Sequence, residues 1–591
     1  MPAARTLPQI AIPNIASPGI SSGAVQFRYA NNFLFQETQT KLSGRHAFRY
    51  GVEFLQQLAT QRPNIVTQGQ FQYKDAVGYS GFANFLDDFS GPSGQAQIGF
   101  GVSTFHPNQL RQSYFFQDNW KATPTLALTL GLRYENFGQL ANAIRYPAFA
   151  GFDPALFLVP NKVNRDDDNF GPAFGLAWSP SSPAPFLARL LGDHKTVLRG
   201  GYQVSYDAFF SQTVSAGLAA SSPNSSTTYT TAPNSGRGLA NFSSQLPAAA
   251  SAPTPLDAQN GVIEKNLRSP YTERWSFGFE RQLPDNILLD VSYIGSESHK
   301  LTTRADLNPR LLSGDRLHPD LGQRFVRTSQ GNSNYHAMQW RVDRRFARRF
   351  QLAASYTWSR NIDSTSEGVG NASGHSNFTS MPAGQGGLKL DRGLSDYDRA
   401  HRLTVAYLWT VPGPRAGLWK YILGGWSIAG ITSFQTGAPF SLQNGTDRNN
   451  DTITDNDRPD IGNPAAPLNS RAVISPRCAT GYQNLDTATC VTPADVHWIE
   501  GTGLPNASTV GRNTLLAGST NNFDASLSKS FPVGETRHLE FRWEALNAFN
   551  HPQYVQLPPM NVVSAPPGQF LNRDFTDSGI RSMWVQVKVV F

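Results

Sequence analysis

Apolar side chains recur at every second position in segment after segment of this chain. Successive side chains of a β-strand point to opposite faces, so each such segment is oily on one side and polar on the other. Leu126, Leu128, Leu130, Leu132 and Tyr134 alternate with Ala127, Thr129, Gly131, Arg133 and Glu135. Leu352, Ala354, Tyr356 and Trp358 oppose Gln351, Ser355, Thr357 and Ser359, and Leu539, Phe541, Trp543 and Ala545 oppose Glu540, Arg542 and Glu544. The last nine residues repeat the pattern, with Met583, Val585, Val587, Val589 and Phe591 on one face and Trp584, Gln586, Lys588 and Val590 on the other. A soluble sandwich also alternates, so one such strand decides nothing. Two details favour lipid. The oily face often ends in Tyr or Trp, as a membrane-interface belt requires, and the opposite face carries ionisable residues mid-strand, as a wet lumen allows.

The spacing of the strands narrows the fold further. Candidate strands lie near 30–42, 47–58, 110–121, 125–136, 169–180, 195–208, 271–283, 286–297, 333–346, 350–362, 400–411, 423–436, 522–531 and 538–549, with a last one at 580–591. Short links (Ser43–His46, Ala122–Pro124, Pro284–Asp285, Ala347–Arg349, Pro532–Arg537) and medium links (Ser181–His194, Pro412–Ile422) alternate with long ones. The long ones are roughly 59–109, 137–168, 209–270, 298–332, 363–399, 437–521 and 550–579. Membrane barrels have short periplasmic turns and long external loops, and this parity places Phe591 on the periplasmic side. The expectation is an all-β chain: an antiparallel transmembrane β-barrel of about 14–16 meandering strands over 30–591, preceded by an irregular segment at 1–29. Bacterial barrels have an even strand number, so a count of fifteen implies a strand missed, falsely assigned or absent from the chain.

Composition agrees. Hydrophobic residues make up 39% and mean hydropathy is −0.37, and no run approaches the ~20 apolar residues of a spanning helix. Aromatics at 12% suit interfacial girdles. The charge of +7 is scattered apart from Arg341–Arg349, and no zinc-finger, RNP or helix-turn-helix pattern is present, so no nucleic-acid partner is expected. There is no HExxH and no GxSxG, and the expectation is a protein that is not an enzyme. The first residues lack a charged segment followed by an apolar one, so the reading needs a secretory signal upstream.

Four local features stand out. Asp447, Asn449, Asp451 and Asp455, with the Ile453 carbonyl, fall at the ligand positions of an EF-hand-type Ca²⁺ loop. Thr452 replaces its turn glycine and Arg458 its bidentate Glu, for which Asp457 could substitute; a solvated turn cluster is the competing reading. Cys478 and Cys490, with eleven residues between them in a polar stretch, are candidates for a disulfide and hence for an oxidising compartment. Asp166-Asp167-Asp168 and Arg341–Arg349 read as solvated patches, the latter with lipid headgroups or peptidoglycan as alternative contacts. Asp118 breaks the alternation by falling on the Tyr114/Phe116/Trp120 face.

Several segments in order resemble the barrel of TonB-dependent outer-membrane transporters of the Oar-like group. They are Leu42–Phe48 (LSGRHAF), Gln117–Trp120 (QDNW) leading to Leu130–Glu135 (LGLRYE), Asn169–Pro172 (NFGP) and Arg199–Tyr202 (RGGY). They continue with Pro270–Trp275 (PYTERW), Asp398–Arg402 (DRAHR), Gly424–Trp426 (GGW), Asn547–Pro552 (NAFNHP) and terminal Phe591. The resemblance covers residues 42–591. It implies a bacterial outer-membrane receptor that binds a bulky ligand at its external loops and imports it when TonB moves an internal plug. Implied partners are outer-membrane lipid, the barrel-assembly machinery through the carboxy-terminal strand, an unknown extracellular ligand, and TonB only in an intact protein. The family barrel has 22 strands, and neither a plug nor a TonB box is visible, so the chain reads as a fragment whose sheet stays incompletely closed. A secreted or surface all-β adhesin without transport is the alternative.

Overall fold

The computed structural model describes residues 8–590 except 14, 16, 20–25, 64–67, 91–93, 102–103, 182–183, 187–190, 209–216, 232–251, 312, 367–378, 381–386, 415–416, 450, 452, 455, 504, 534–536, 555–556 and 576–578. Fifteen long strands form its wall. They are β1 (Phe27–Ser43), β2 (His46–Arg62), β3 (Gln109–Thr123), β4 (Leu126–Asn136), β5 (Asn169–Trp178), β6 (Thr196–Tyr206), β7 (Tyr271–Leu283) and β8 (Ile287–Asp306). The chain continues through β9 (Arg324–Ala347), β10 (Phe350–Asp363), β11 (His401–Thr410), β12 (Trp426–Gln435), β13 (Thr520–Val533), β14 (Arg537–Leu546) and β15 (Ser582–Val590). Each strand pairs antiparallel with the next, from β1–β2 to β14–β15. The short and medium links lie at one end of this meander and the long connections at the other.

The sheet does not close. Among the described residues, β1 and β15 each pair on one edge only. Fourteen reversals separate them, so they run in the same direction. A direct β1–β15 seam would be parallel, and an antiparallel closure needs an odd number of further strands between them.

Register assigns the two faces. One row runs Arg49, Gln117, Gly131, Ala173, Gln203, Arg274 across six strands and is polar or small. The adjacent row runs Phe48, Asp118, Leu130, Phe174, Tyr202, Trp275 and is apolar apart from Asp118. The apolar face has no protein layer over it, since Leu130 is 48% exposed, Phe277 60% and Val587 63%. The buried apolar clusters lie in the long connections and the segment before β1 instead. An apolar face left in water forfeits about 25 cal/mol for each Å² it could bury, so this wall is built for a non-aqueous solvent. We call its polar side the lumen face.

Asp118 has a local explanation. Its Oδ2 lies 2.7 Å from His46 Nδ1. The His46 ring stacks at 5.5 Å on both Phe48 and Trp120, close to the turn at Gly44–Arg45. The acid is therefore partnered at the rim of the apolar band, where aromatic residues gather.

Strand ends differ from the alternation-based limits at the long-connection end. β8 runs on to Asp306 and β9 starts at Arg324, which shortens the expected 298–332 loop to 307–323. Here Thr303, Phe325 and Val326 are all buried, and the Thr303 and Thr328 hydroxyls meet at 2.9 Å. Both faces are covered by protein, so the two-residue alternation is lost although the strand continues.

The facing assignment is testable at the last strand. Val587→Arg places a charge on the outward face and should destabilise the wall by about 2–4 kcal/mol if it sits near the bilayer midplane, whereas Gln586→Arg on the lumen face should be tolerated. Equal shifts in urea unfolding midpoint from liposomes would refute the assignment.

Candidate functional site

The long connections, with the segment that precedes β1, fold into a cap with its own cores. Gln9–Ala11, Gln70–Gln72, Gln95–Gly101 and Ser225–Thr231 form a four-stranded sheet that covers Phe71, Tyr73 and Ala96. Phe105, Ile144, Val163, Leu218 and Ile263 share a second core drawn from three connections. Phe440, Leu442, Trp498, Val562 and Phe570 form a third, from the 437–521 and 550–579 connections.

Buried arginines tie these connections together. Arg512 is 2% exposed, and its guanidinium donates to the Asp363 Oδ1 at 2.5 Å, the Asp363 carbonyl at 3.0 Å and the Asp391 carbonyl at 2.7 Å. Arg458 donates to Asp391 Oδ1 at 2.8 Å and the Leu390 carbonyl at 2.7 Å. Arg471, fully buried, caps the carbonyls of Val562 and Ala565 at 2.7 and 2.6 Å and lies over the Phe570 ring. Glu500, 2% exposed, holds Arg448 and accepts from the Ile474 N–H at 2.8 Å. A guanidinium suits this task because its five donors in a fixed plane can satisfy several carbonyls of turning chain at once. None of these residues carries a local sequence signal, because each partner comes from a distant stretch.

The acidic loop sits inside this network. Asn449, Asp451, Asn456 and Asp457 are all at most 3% exposed. Asp451 N–H donates to both Asp447 Oδ1 and Asn449 Oδ1 at 3.1 Å. Asp451 in turn accepts from Ile453 N–H at 2.7 Å and from the Asn449 and Asn456 amides at 3.1 and 2.6 Å. Burial pushes the Asp457 carboxyl up to about 8, and the carboxylates of Asp451 and Asp447 push the same way against the N–H donors of Arg448 and Asn449. Burial raises Asp451 as well. Asp455 lies outside the described residues. Arg458, at the position of the bidentate Glu, is committed to Asp391. Among the described residues, no three His, Cys, Asp or Glu side chains are placed to hold a metal ion. The loop also joins its neighbours, since Gln323 Nε2 donates to the Asp451 carbonyl at 3.2 Å and to Asp306 Oδ2 at 3.0 Å.

Cys478 and Cys490 are disulfide-bonded, with Cα atoms 5.4 Å apart. The bond braces one edge of a small five-stranded sheet, whose Arg471–Ile474, Tyr482–Asn484 and Cys490–Val491 strands are neighbours. Asp166 is not freely solvated. Burial opposes its ionisation, but Arg268 at 2.7 Å and the Ser269 N–H outweigh it and hold the carboxyl below its usual range. At the other end of the wall, Arg341 pairs with Asp343 at 2.5 Å, Arg348 reaches Asp285 on the neighbouring turn at 3.1 Å, and Arg344 lies over Phe350. Met583, Val585, Val587 and Val589 occupy the outward face of β15, while Trp584 on the lumen face donates to Glu544 at 2.6 Å. Phe591 lies outside the described residues. Trp584, Ala353, Leu408, Ala429 and Ser526 line a lumen pocket of about 430 Å³.

The cap is a surface held rigid by a few charged contacts. Removing one partner of a buried pair strands the other, so Arg512→Ala should cost about 3–5 kcal/mol of cap stability. Limited proteolysis should then cut the 363–399 and 437–521 connections first, with the wall strands still protected. Unchanged protease resistance would show that the pair does not organise the cap.

The outer membrane transporter YddB from Escherichia coli matches with a TM-score of 0.47 at 10% identity over 95% of this chain and 54% of its own. The siderophore receptor PirA from Acinetobacter baumannii matches at 0.44 with 10% identity, over 99% and 57%. The pyoverdine outer membrane receptor FpvA from Pseudomonas aeruginosa matches at 0.41 with 9% identity, over 95% and 52%. The chain thus spans about half the length of these solved structures. No curated protein matches it in sequence. The model of the outer membrane beta barrel domain matches residues 1–581, and the chain belongs to that family.

Proposed function

We propose that this chain forms the larger part of the wall and the ligand-collecting cap of a TonB-dependent outer-membrane receptor. One observation carries the reading: every long connection lies at one end of the wall, five of them contribute to buried cores, and every short one lies at the other end. A cell-surface receptor needs this asymmetry, because loops that meet ligands face outside and turns that only reverse the chain face the periplasm. The cap is the binding surface. Its breadth fits a bulky ligand such as a peptide or an oligosaccharide, and the polar lumen beneath it is the import route. The free edges of β1 and β15 are paired in the membrane with further strands, odd in number, because unpaired backbone groups in lipid cost several kcal/mol each. Import belongs to an assembly that also supplies a plug and contacts TonB. The disulfide between Cys478 and Cys490 fits a cap that matures in an oxidising compartment.

Orientation is the part of this reading that one experiment decides. A membrane-impermeant maleimide on intact cells should label Ser313→Cys, in the 307–323 connection, and should reach Arg348→Cys, in the β9–β10 turn, only after permeabilisation. The native cysteines are bonded to each other and stay unlabelled under non-reducing conditions. The opposite labelling pattern would put the cap in the periplasm and end the receptor reading. Extraction into plain buffer without detergent would remove the membrane altogether.

A further inference from the structure

The medium link between β11 and β12 contains a short helix, Leu418–Leu423 (LWKYIL), at the short-turn end of the wall. Its apolar residues are not packed away. Leu418 is 72% exposed, Trp419 60%, and Tyr421, Ile422 and Leu423 about half. Five large apolar side chains in six positions is a surface that water does not stabilise, and the link that carries it lies at the end of the wall opposite the cap. Its position in the wall says what covers it. Trp426, the first residue of β12, belongs to the outward row with Ile428, and its Nε1 donates to the Ile422 carbonyl at 3.0 Å. Lys529 of β13 is the register partner of Trp426 and so lies on the outward face. Its ammonium donates to the Ile422 carbonyl at 3.0 Å and to the Gly424 carbonyl, and sits over the Trp426 and Phe531 rings. The helix is thus bound to the outward surface of the wall by its last carbonyls.

We infer that the Leu418–Leu423 helix is an interfacial anchor that inserts its apolar side chains into the lipid leaflet at the short-turn end. The occupant is lipid because the helix continues the outward wall, which the family places against a bilayer. The composition fits an interface. Trp419 and Tyr421 are residues of the headgroup boundary, Leu418, Ile422 and Leu423 supply acyl-chain contact, and Lys420 has a stem long enough to reach headgroups. The same arrangement solves a second problem. Lys529 would be a bare cation on a lipid-facing strand, and the helix carbonyls turn it into a buried, hydrogen-bonded link with 2% exposure. The other medium link, between β5 and β6, has a similar apolar run in its sequence, Phe186–Leu191 (FLARLL), with Phe186 76% exposed. The inference needs the membrane wall but not the orientation or ligand of the receptor reading.

Spin labels at Leu418→Cys and at Tyr421→Cys, in the full chain reconstituted in phosphatidylcholine–phosphatidylglycerol bilayers, test it. Oxygen partitions into lipid and a nickel chelate stays in water. Both labels should show an oxygen-to-nickel collision ratio several-fold above that of Ser313→Cys in the cap, and close to that of Val587→Cys on the outward wall. A ratio equal to that of Ser313→Cys would overturn the anchor while leaving the wall and its orientation intact. If a cysteine variant fails to insert into the bilayer, the unmodified protein serves instead. A photoactivatable acyl-chain lipid should then attach to the 418–423 peptide, and attachment at Val587 without any at 418–423 would likewise overturn it.

Discussion

A peptide chain crossing hydrocarbon must pair every backbone N–H and C=O with itself, because no water is there to do it. Most of this structure follows from that requirement. Neighbouring strands pair in sequence order because a meander wastes no backbone between them. Turns such as Gly44–Arg45 and Arg348–Arg349 shrink to the minimum because they leave the sheet only to re-enter it. The same requirement makes the edges of β1 and β15 the least stable feature of the isolated sheet. Direction then restricts the remedy, since two strands that run the same way cannot be joined by one antiparallel pairing.

Once the backbone is paired, the side chains are free to answer to two solvents. The lumen row Arg49, Gln117, Gln203, Arg274 and the outward row Phe48, Leu130, Phe174, Trp275 lie one residue apart along the same strands. No core is shared between them, so the wall has almost no tertiary packing of its own. Packing is concentrated in the cap, where connections of many residues turn back on themselves and expose carbonyls that no sheet satisfies. Arg512, Arg458 and Arg471 take up those carbonyls. The division of labour is physical: sheet hydrogen bonds hold the wall, and guanidinium contacts together with small apolar cores hold the cap.

This division explains what the sequence made legible. The wall strands could be read because each presents one face to oil and one to water, and that contrast writes a two-residue period into the chain. Fifteen strands, near the expected positions, follow from it. The period fades where both faces meet protein, and so β8 and β9 outrun their expected ends around Thr303 and Val326. The cap was opaque for a different reason. Arg512 meets Asp363 across a separation of 149 residues, and nothing near either residue foretells the other. The spacing of Asp447, Asn449, Asp451 and Asp457 did mark a loop whose polar groups converge. It could not tell that Arg458 belongs to Asp391, or that the loop's carboxylates are largely engaged by its own N–H groups.

Charged residues on the outward face bring the two halves of the argument together. Asp118 and Lys529 both violate the alternation, and each meets a partner at or beside a neighbouring turn or link. His46, the first residue of β2 after the β1–β2 turn, reaches Asp118 and is flanked by aromatic rings. The Leu418–Leu423 helix reaches Lys529 from the β11–β12 link with its terminal carbonyls. In both cases a charged atom, Asp118 Oδ2 or Lys529 Nζ, meets its partner at the short-turn rim and the surrounding surface stays aromatic or aliphatic. A break in the period at such a rim therefore predicts a partner in the adjacent connection, and in the β11–β12 link that partner carries an apolar surface of its own.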